Sequence, residues 1–221
     1  MKALVFDCET RPADDHLLRR LCPEFDESSV KVGRLGEEKR LAKIEAAREK
    51  HFADFRDGST LKAQTCNICA IGYKHSAESR VSLGSEKDLL EEFWRIYSET
   101  RRRGGKMIGH NVRGFDLPII RRRSFVLGVD MPSGVIDKNR YWSSVFEDTM
   151  EVWSCGTYPP DKISLDAASK ILGGPGKAGK GQHFHLLLAE GKTEEAVAYV
   201  TRDLDETWRF AAALGLLEIS E

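Results

Sequence analysis

The chain has 221 residues, of which 41% are hydrophobic and 31% are charged, and its formal net charge is −1. This size and composition predict an ordered, soluble protein and exclude one that binds nucleic acid through a strongly basic overall charge, although 34 lysines and arginines can still form a local basic surface. No apolar stretch reaches the roughly 20 residues of a membrane span, and no signal peptide precedes the first strand-like run. The five cysteines are scattered and odd in number, which predicts reduced thiols and a cytoplasmic protein.

Strand-like and helix-like segments alternate along the chain. Apolar runs predict five strands, at 2–7, 65–74, 79–84, 106–111 and 145–150. Helices are predicted from Ser85 to about Arg103, at 116–127, at 164–174 and from Thr193 to about Leu217. Strands with interspersed helices come first and helices dominate the end, which predicts an α/β fold with a sheet flanked by helices.

A charged segment at about 34–55 interrupts this pattern. Its apolar stripe is thin, consisting of Leu41, Ile44 and Phe52, which predicts an exposed helix such as an arm or a flap. We interpret the chain as a single domain over 1–221 that carries this helical insertion, to which the sequence assigns no role.

An acid pair follows the first apolar run, in the stretch VFDCET. Side chains alternate between the faces of a strand, so Asp7 and Glu9 project to the same side. Two neighbouring carboxylates repel each other unless a proton or a cation lies between them. The alternative is a strand that ends at Asp7 in a polar turn, with both acids solvated.

Two later acids have ordinary explanations when they are considered singly. Asp116 lies at the start of a predicted helix, where an aspartate is a routine N-cap. Asp203 shares one face of the last helix with Tyr199, four residues earlier, and alone would be a solvated acid.

The complete set resembles the four-carboxylate 3′–5′ exonuclease superfamily, and in particular the exonuclease domain of family B DNA polymerases in a free-standing form. The motifs that carry the resemblance are D-x-E-T at 7–10, H-N-x-x-x-F-D at 110–116 and Y-x-x-x-D at 199–203. A tyrosine four residues before the last aspartate is typical of the DEDDy subgroup, whereas Ala198 stands where a related subgroup carries histidine. The resemblance implies an RNase H-like fold, with a mixed five-stranded sheet and helices on both faces.

The resemblance also implies hydrolysis of phosphodiester bonds at the 3′ end of single-stranded DNA by a two-metal-ion mechanism. Two Mg²⁺ or Mn²⁺ ions about 3.5–4 Å apart are the implied cofactors. In this scheme Asp7 bridges both ions, Glu9 and Asp203 complete one site, and Asp116 holds the second ion mostly through water. Tyr199 orients the attacking water, since a phenol is too weak an acid to serve as a free base near neutral pH.

Other residues are candidate substrate contacts: Thr10, His110, Asn111, Phe115, Lys177 and Lys180. Phe115 could stack on a terminal base or belong to the core, and Asn111 could contact the nucleotide or merely end a strand. A local turn bond is the alternative for the Thr10 hydroxyl. The two lysines lie in a Gly/Lys loop that lacks the Ser or Thr of a P-loop, because Gly181 occupies that place.

Two further patterns have weaker functional interpretations. Cys66 and Cys69 have C-x-x-C spacing but no second ligand pair nearby, which disfavours a zinc site. The arginine runs at 101–103 and 121–123 are either patches that bind a nucleic-acid backbone or solvated helix ends.

Two alternative functions remain open at this point. One is an RNA-trimming exonuclease with the same site, because nothing in the sequence separates ribose from deoxyribose. The other is a nucleic-acid-binding module without catalysis, against which the presence of all four carboxylates and the tyrosine counts.

Overall fold

The computed structural model of the chain describes residues 2–137, 141–176 and 184–217. The strands are β1 (Ala3–Pro12), β2 (Cys66–His75), β3 (Glu78–Leu83), β4 (Lys106–Gly109), β5 (Ile136–Asp137), β6 (Tyr141–Trp142) and β7 (Phe146–Asp148). The α-helices are α1 (Asp15–Leu21), α2 (Glu37–Asp57), α3 (Glu86–Arg102), α4 (Asp116–Leu127), α5 (Thr149–Trp153), α6 (Leu165–Ile171), α7 (Phe184–Ala189) and α8 (Thr193–Ala213). Within these ranges, no helix is both long enough and apolar enough to cross a bilayer.

The five predicted strands form one mixed sheet, in the order β3-β2-β1-β4-β7. The three strands β3, β2 and β1 are antiparallel neighbours, whereas β4 runs parallel to both β1 and β7. The short strands β5 and β6 form a separate two-stranded ribbon.

Helices cover both faces of this sheet because its central strand is apolar on both sides. Leu4 and Phe6 belong to one buried cluster, with α3 and α4, and Val5 belongs to a second cluster, with α7 and α8. Such two-sided burial is typical of the central strand of an α/β fold. The Ser85 cap of α3 is also confirmed, since its hydroxyl accepts the Asp88 N–H at 3.2 Å.

One interpretation of the sequence ended the first strand at Asp7, but strand β1 extends further. It continues to Pro12 because β2 stays paired with it beyond the end of β4, from Lys74 opposite Val5 to Cys66 opposite Pro12. The register shifts between Glu9 and Thr10, which marks a bulge or an irregularity there. Bulges of this kind are over-represented next to active sites, where they redirect side chains.

The second arginine run contains one buried member, contrary to both interpretations of that run. Arg123 and Glu86 form an ion pair at 2.7 Å, with only 7% and 8% of their side chains exposed. Arg123 Nε donates to Glu86 at 2.8 Å, and Glu86 also accepts the Ile68 N–H at 2.7 Å, so the pair links α3, α4 and β2. Arg123 is therefore part of the interior rather than of a nucleic-acid-binding patch.

We expect Arg123→Ala to lower the free energy of unfolding by about 3–5 kcal/mol, because it leaves the Glu86 carboxylate buried without its partner. Arg122→Ala is the matched control, since Arg122 is exposed on the same helix and its loss should cost less than about 0.5 kcal/mol. Urea unfolding of both variants measures the difference. Equal midpoints for the two variants would contradict this account of Arg123.

Candidate active site

Three carboxylates converge at one position between the sheet and α8. Asp7, Glu9 and Asp203 each offer one oxygen, and these oxygens all lie within 4.8 Å of one another. Glu9 and Asp203 are buried and Asp7 is partly buried. Asp203 is therefore not the solvated acid that its sequence context allowed, and the two acids of β1 do project to one side.

Close packing of α8 on β2 brings Asp203 to the acid pair. Gly72 on β2 lies opposite Asp7 in the strand register. A Cβ atom at Gly72 would lie 2.5 Å from Val200 Cγ1 and 2.9 Å from Leu204 Cδ1, so only glycine permits this approach of the helix. An ion pair at 2.9 Å between Asp205 of α8 and the largely buried Lys74 of β2 also joins the helix to this strand.

Asp116 approaches from the edge of β1 that pairs with β4, opposite the edge that pairs with β2. Strand β4 pairs with β1 only as far as Val5, and further along this edge the Asp116 carboxylate accepts the Cys8 N–H at 3.0 Å. Burial raises the pKa of Asp116 well above its usual value, and the neighbouring charge of Asp7 raises it further. Asp116 is not the N-cap of α4, because Phe115 occupies that position.

This donor set suits a hard divalent cation. Carboxylate oxygens are the ligands that Mg²⁺ and Mn²⁺ prefer, and a cation among them would relieve the repulsion that raises the pKa of Asp116. Cys66 and Cys69 offer no comparable site, because they lie in the two different buried clusters on opposite faces of the sheet. Burial raises the pKa of both thiols to about 12, which disfavours the thiolate that zinc requires.

Tyr199 lies one turn before Asp203 on the buried face of α8. Its ring belongs to the cluster between α8 and the sheet and packs against Phe184, with 6.4 Å between the ring centroids. The predicted pairing of Tyr199 and Asp203 on one helix face is therefore confirmed, whereas a catalytic role for the hydroxyl stays a prediction.

The loop between β4 and α4 is fixed by an acid that sequence reasoning missed. Asp148, at the end of β7, is buried, and its carboxylate accepts the N–H groups of Asn111 and Arg113, both at 2.9 Å. It also caps α5 by accepting the Met150 N–H at 3.0 Å. These bonds hold Asn111 at a φ of +59°, a conformation that asparagine tolerates better than most residues. The sequence signal for this role was the position of Asp148 directly before Thr149 in a predicted strand.

His110 is held within this loop by both ring nitrogens. Nδ1 lies 2.9 Å from the Thr149 hydroxyl, and Nε2 lies 3.0 Å from the Ile163 carbonyl oxygen. A carbonyl only accepts, so Nε2 carries the proton in this arrangement. These contacts give His110 a structural role in the loop, and its contact with substrate stays a prediction.

A cleft with a volume of about 380 Å³ runs past three of the four acids, Asp7, Glu9 and Asp116. Seven predicted substrate or metal residues line it, three from β1, two from the loop after β4, and two from α4 and its N-cap: Asp7, Glu9, Thr10, His110, Asn111, Asp116 and Phe115. The lining residues that the sequence did not single out are Cys8, Thr60, Leu61, Met150, Ser164, Leu165 and Asp166. The Thr10 hydroxyl donates to the Thr60 carbonyl oxygen at 2.7 Å, which is a long-range bond and not the local turn bond that was the alternative to a substrate contact. Lys177 and Lys180 lie outside the described residues.

Residues 59–214 match the family described as a predicted 3′–5′ exonuclease related to the exonuclease domain of PolB. The chain belongs to this family. The match contains Asp116, Tyr199 and Asp203, and it begins after Asp7 and Glu9. The match does not include the two acids of β1, but the geometry brings both of them to the aspartate of α8 in this member of the family.

A solved structure shares the fold of this member of the PolB-related family. It is the family B DNA polymerase from the hyperthermophilic archaeon Pyrobaculum calidifontis, with a TM-score of 0.56 and 17% identity, over 96% of this chain and 24% of that chain. The chain thus spans about a quarter of the polymerase, and the likeness confirms the RNase H-like fold. No curated protein matches the sequence.

Proposed function

We propose that this member of the PolB-related exonuclease family is a metal-dependent 3′–5′ exonuclease of the DEDDy subgroup that acts on single-stranded DNA. The observation that carries the proposal is the convergence of Asp7, Glu9 and Asp203 within 4.8 Å, from a strand and a helix that are far apart in the sequence. Carboxylate oxygens at this separation form a ligand set for a hard divalent cation, which supports a metal-dependent reaction.

The four acids have distinct tasks in the proposed reaction. Asp7 would contact both of two divalent cations, Glu9 and Asp203 would complete the first site, and Asp116 would hold the second, mostly through water. Two such ions lower the pKa of a bound water and stabilise the charge on the attacking and leaving oxygens. The Cys8 N–H keeps the Asp116 carboxylate in a fixed orientation toward the cleft.

Tyr199 would align the attacking water through its hydroxyl, one helical turn from Asp203. The ring has little freedom to move, because it is buried between α8 and the sheet. A hydroxyl on a fixed ring costs little entropy when it orients a water molecule in the transition state.

The loop before α4 would receive the terminal nucleotide. Phe115 is half-buried at the N-cap of α4 and lines the cleft, which suits stacking on the last base. Asn111 lines the same cleft on a backbone fixed by Asp148, so its amide is available in one defined place. Thr10 and His110 would support these contacts mainly by positioning, and Lys177 and Lys180 would contact phosphate.

A 5′-labelled single-stranded DNA incubated with Mg²⁺, Mn²⁺ or EDTA tests the proposal. We expect a ladder of products shortened one nucleotide at a time from the 3′ end with either metal, and no cleavage in EDTA. Cleavage that persists in EDTA, or binding without cleavage in both metals, contradicts it. A matched RNA strand in the same assay tests the substrate class, and faster degradation of the RNA would contradict the assignment to DNA.

A further inference from the structure

The chain between β1 and β2 forms a helical arm, which we define as residues 13–57. Its two halves run antiparallel and contact each other from Arg56 to Lys43 of α2. From the base outward these contacts are the Arg56–Asp15 ion pair at 3.1 Å, the Arg19 guanidinium 4.1 Å from the Phe52 ring, His51 Nε2 3.0 Å from the Pro23 carbonyl oxygen, the Arg48–Glu27 ion pair, and Lys43 Nζ 2.6 Å from the Lys31 carbonyl oxygen.

The arm projects from the rim of the cleft. No residue of α2 is buried, so this helix does not pack onto the domain. Its C-terminal end leads into a short turn at 58–61, and two residues of that turn, Thr60 and Leu61, line the cleft. The 21 residues of α2 span about 30 Å at 1.5 Å per residue, which sets the distance between the cleft rim and the outer end of the arm.

Charge is distributed unevenly along the arm. The outer end, residues 31–43, carries five cations and two acids, and we call it the arm tip. The remaining residues, 13–30 and 44–57, carry five cations and nine acids. The tip cations are all exposed: Lys31, Arg34, Lys39, Arg40 and Lys43. Among the residues that the structure describes, none of these five forms an ion pair with a carboxylate, whereas Arg48, Lys50 and Arg56 nearer the base all do.

We infer that the arm tip binds the phosphate backbone of the substrate strand at a distance from the scissile bond. This inference rests on the proposed function, which places the 3′ end of that strand in the cleft. A stacked strand advances about 3.4 Å per nucleotide, so 30 Å corresponds to about nine nucleotides. The tip therefore contacts long substrates and has nothing to contact on short ones.

The two halves of the arm share few buried apolar side chains, which is consistent with this role. Leu18 is the buried residue of α1, and α2 has none, so polar contacts and cation–π pairs hold the two halves together. Such an element has low local stability and can adjust its position on a flexible strand.

The double variant Lys39→Glu/Arg40→Glu tests the inference against the control Lys87→Glu/Arg95→Glu. Both variants change the charge equally at exposed helical positions, but the control lies on α3, away from the arm and the cleft. Fluorescence anisotropy in EDTA measures the binding of single-stranded DNA of about 5 and about 25 nucleotides, the lengths that fall short of and exceed the reach of the tip.

We expect the arm variant to bind the long strand about tenfold more weakly at low salt, with a slope of log K against log salt that is shallower by about 1.4, and to bind the short strand like the wild type. The control variant should match the wild type on both strands. Equal weakening on both lengths, equal weakening by the control, or unchanged binding of the long strand overturns the inference. Because this readout needs no catalysis, failure of the proposed function appears separately, as absent cleavage of the short strand by the wild type in Mg²⁺.

Discussion

Replacing Asp116 by asparagine is expected to lower exonuclease turnover by about 10³-fold and, at the same time, to raise the melting temperature of the metal-free protein. The first effect follows because a metal ligand at a two-ion site supplies several kcal/mol of transition-state stabilisation. The second follows because the ionised Asp116 is buried next to Asp7, and this arrangement raises its pKa. Asparagine keeps an oxygen that can accept the Cys8 N–H, so the local backbone should not change.

The stabilisation should depend on pH in one direction. The pKa of Asp116 is higher in the folded state than its unfolded value of about 3.9, so the fold binds this proton more tightly than the unfolded chain does. Ionisation therefore destabilises the fold increasingly as the pH rises from that value through the folded pKa. The gain in melting temperature from Asp116→Asn should be small near pH 4 and should grow as the pH rises through the folded pKa.

Thermal melting with and without Mn²⁺ measures both parts of this prediction. A ligand present at 100 times its Kd stabilises the wild type by about 2.7 kcal/mol, which is roughly 5–10 °C for a domain of this size, and the variant should lose most of that shift. Asp130→Asn is the control, since Asp130 is exposed beyond the end of α4. A variant that cleaves DNA at the wild-type rate, or that melts lower than the wild type in EDTA at pH 8, contradicts this account of Asp116.

Replacing Tyr199 by phenylalanine is expected to lower kcat and kcat/KM together by about 10²–10⁴-fold, with little change in substrate affinity. The hydroxyl is proposed to align the attacking water, and a contact made only in the transition state affects both constants equally. Phenylalanine keeps the ring that packs against Phe184, so stability should change little.

Tyr73→Phe is the matched control for this substitution. Tyr73 is also a buried tyrosine of the core, but it belongs to the cluster on the opposite face of the sheet. Its loss of a hydroxyl should leave single-turnover cleavage within about twofold of the wild type, far below the effect of a group that positions water. A Tyr199→Phe rate that is equally close to the wild type would mean that Tyr199 is only a core aromatic.

The sheet could be predicted from the sequence because its long strands β1 and β2 begin with or contain apolar runs, and its shorter strands are bounded by turn residues. The central strand was predicted too short, since periodicity cannot show that β2 continues to pair beyond the acid pair. Helix α1 was missed because it has only seven residues and buries only Leu18, which is too little for a periodic signal.

The acids of the site could be predicted from their motifs, but the residues that hold them in place could not. Asp148 accepts three backbone N–H groups. Every residue type except proline can supply such a donor, so the sequence does not reveal these contacts. Gly72 matters only because α8 happens to cross the sheet there. Arg123 sits within a run of three arginines, and only the position of Glu86 shows which of them is buried.

An anomalous difference map from a crystal soaked in Mn²⁺ tests the central claim most directly, because it locates the metal rather than its effect. The account predicts a strong peak bounded by carboxylate oxygens of Asp7, Glu9 and Asp203, and the loss of that peak in an Asp203→Asn crystal. No peak at these three residues, in a protein that degrades DNA in Mn²⁺, would contradict the account.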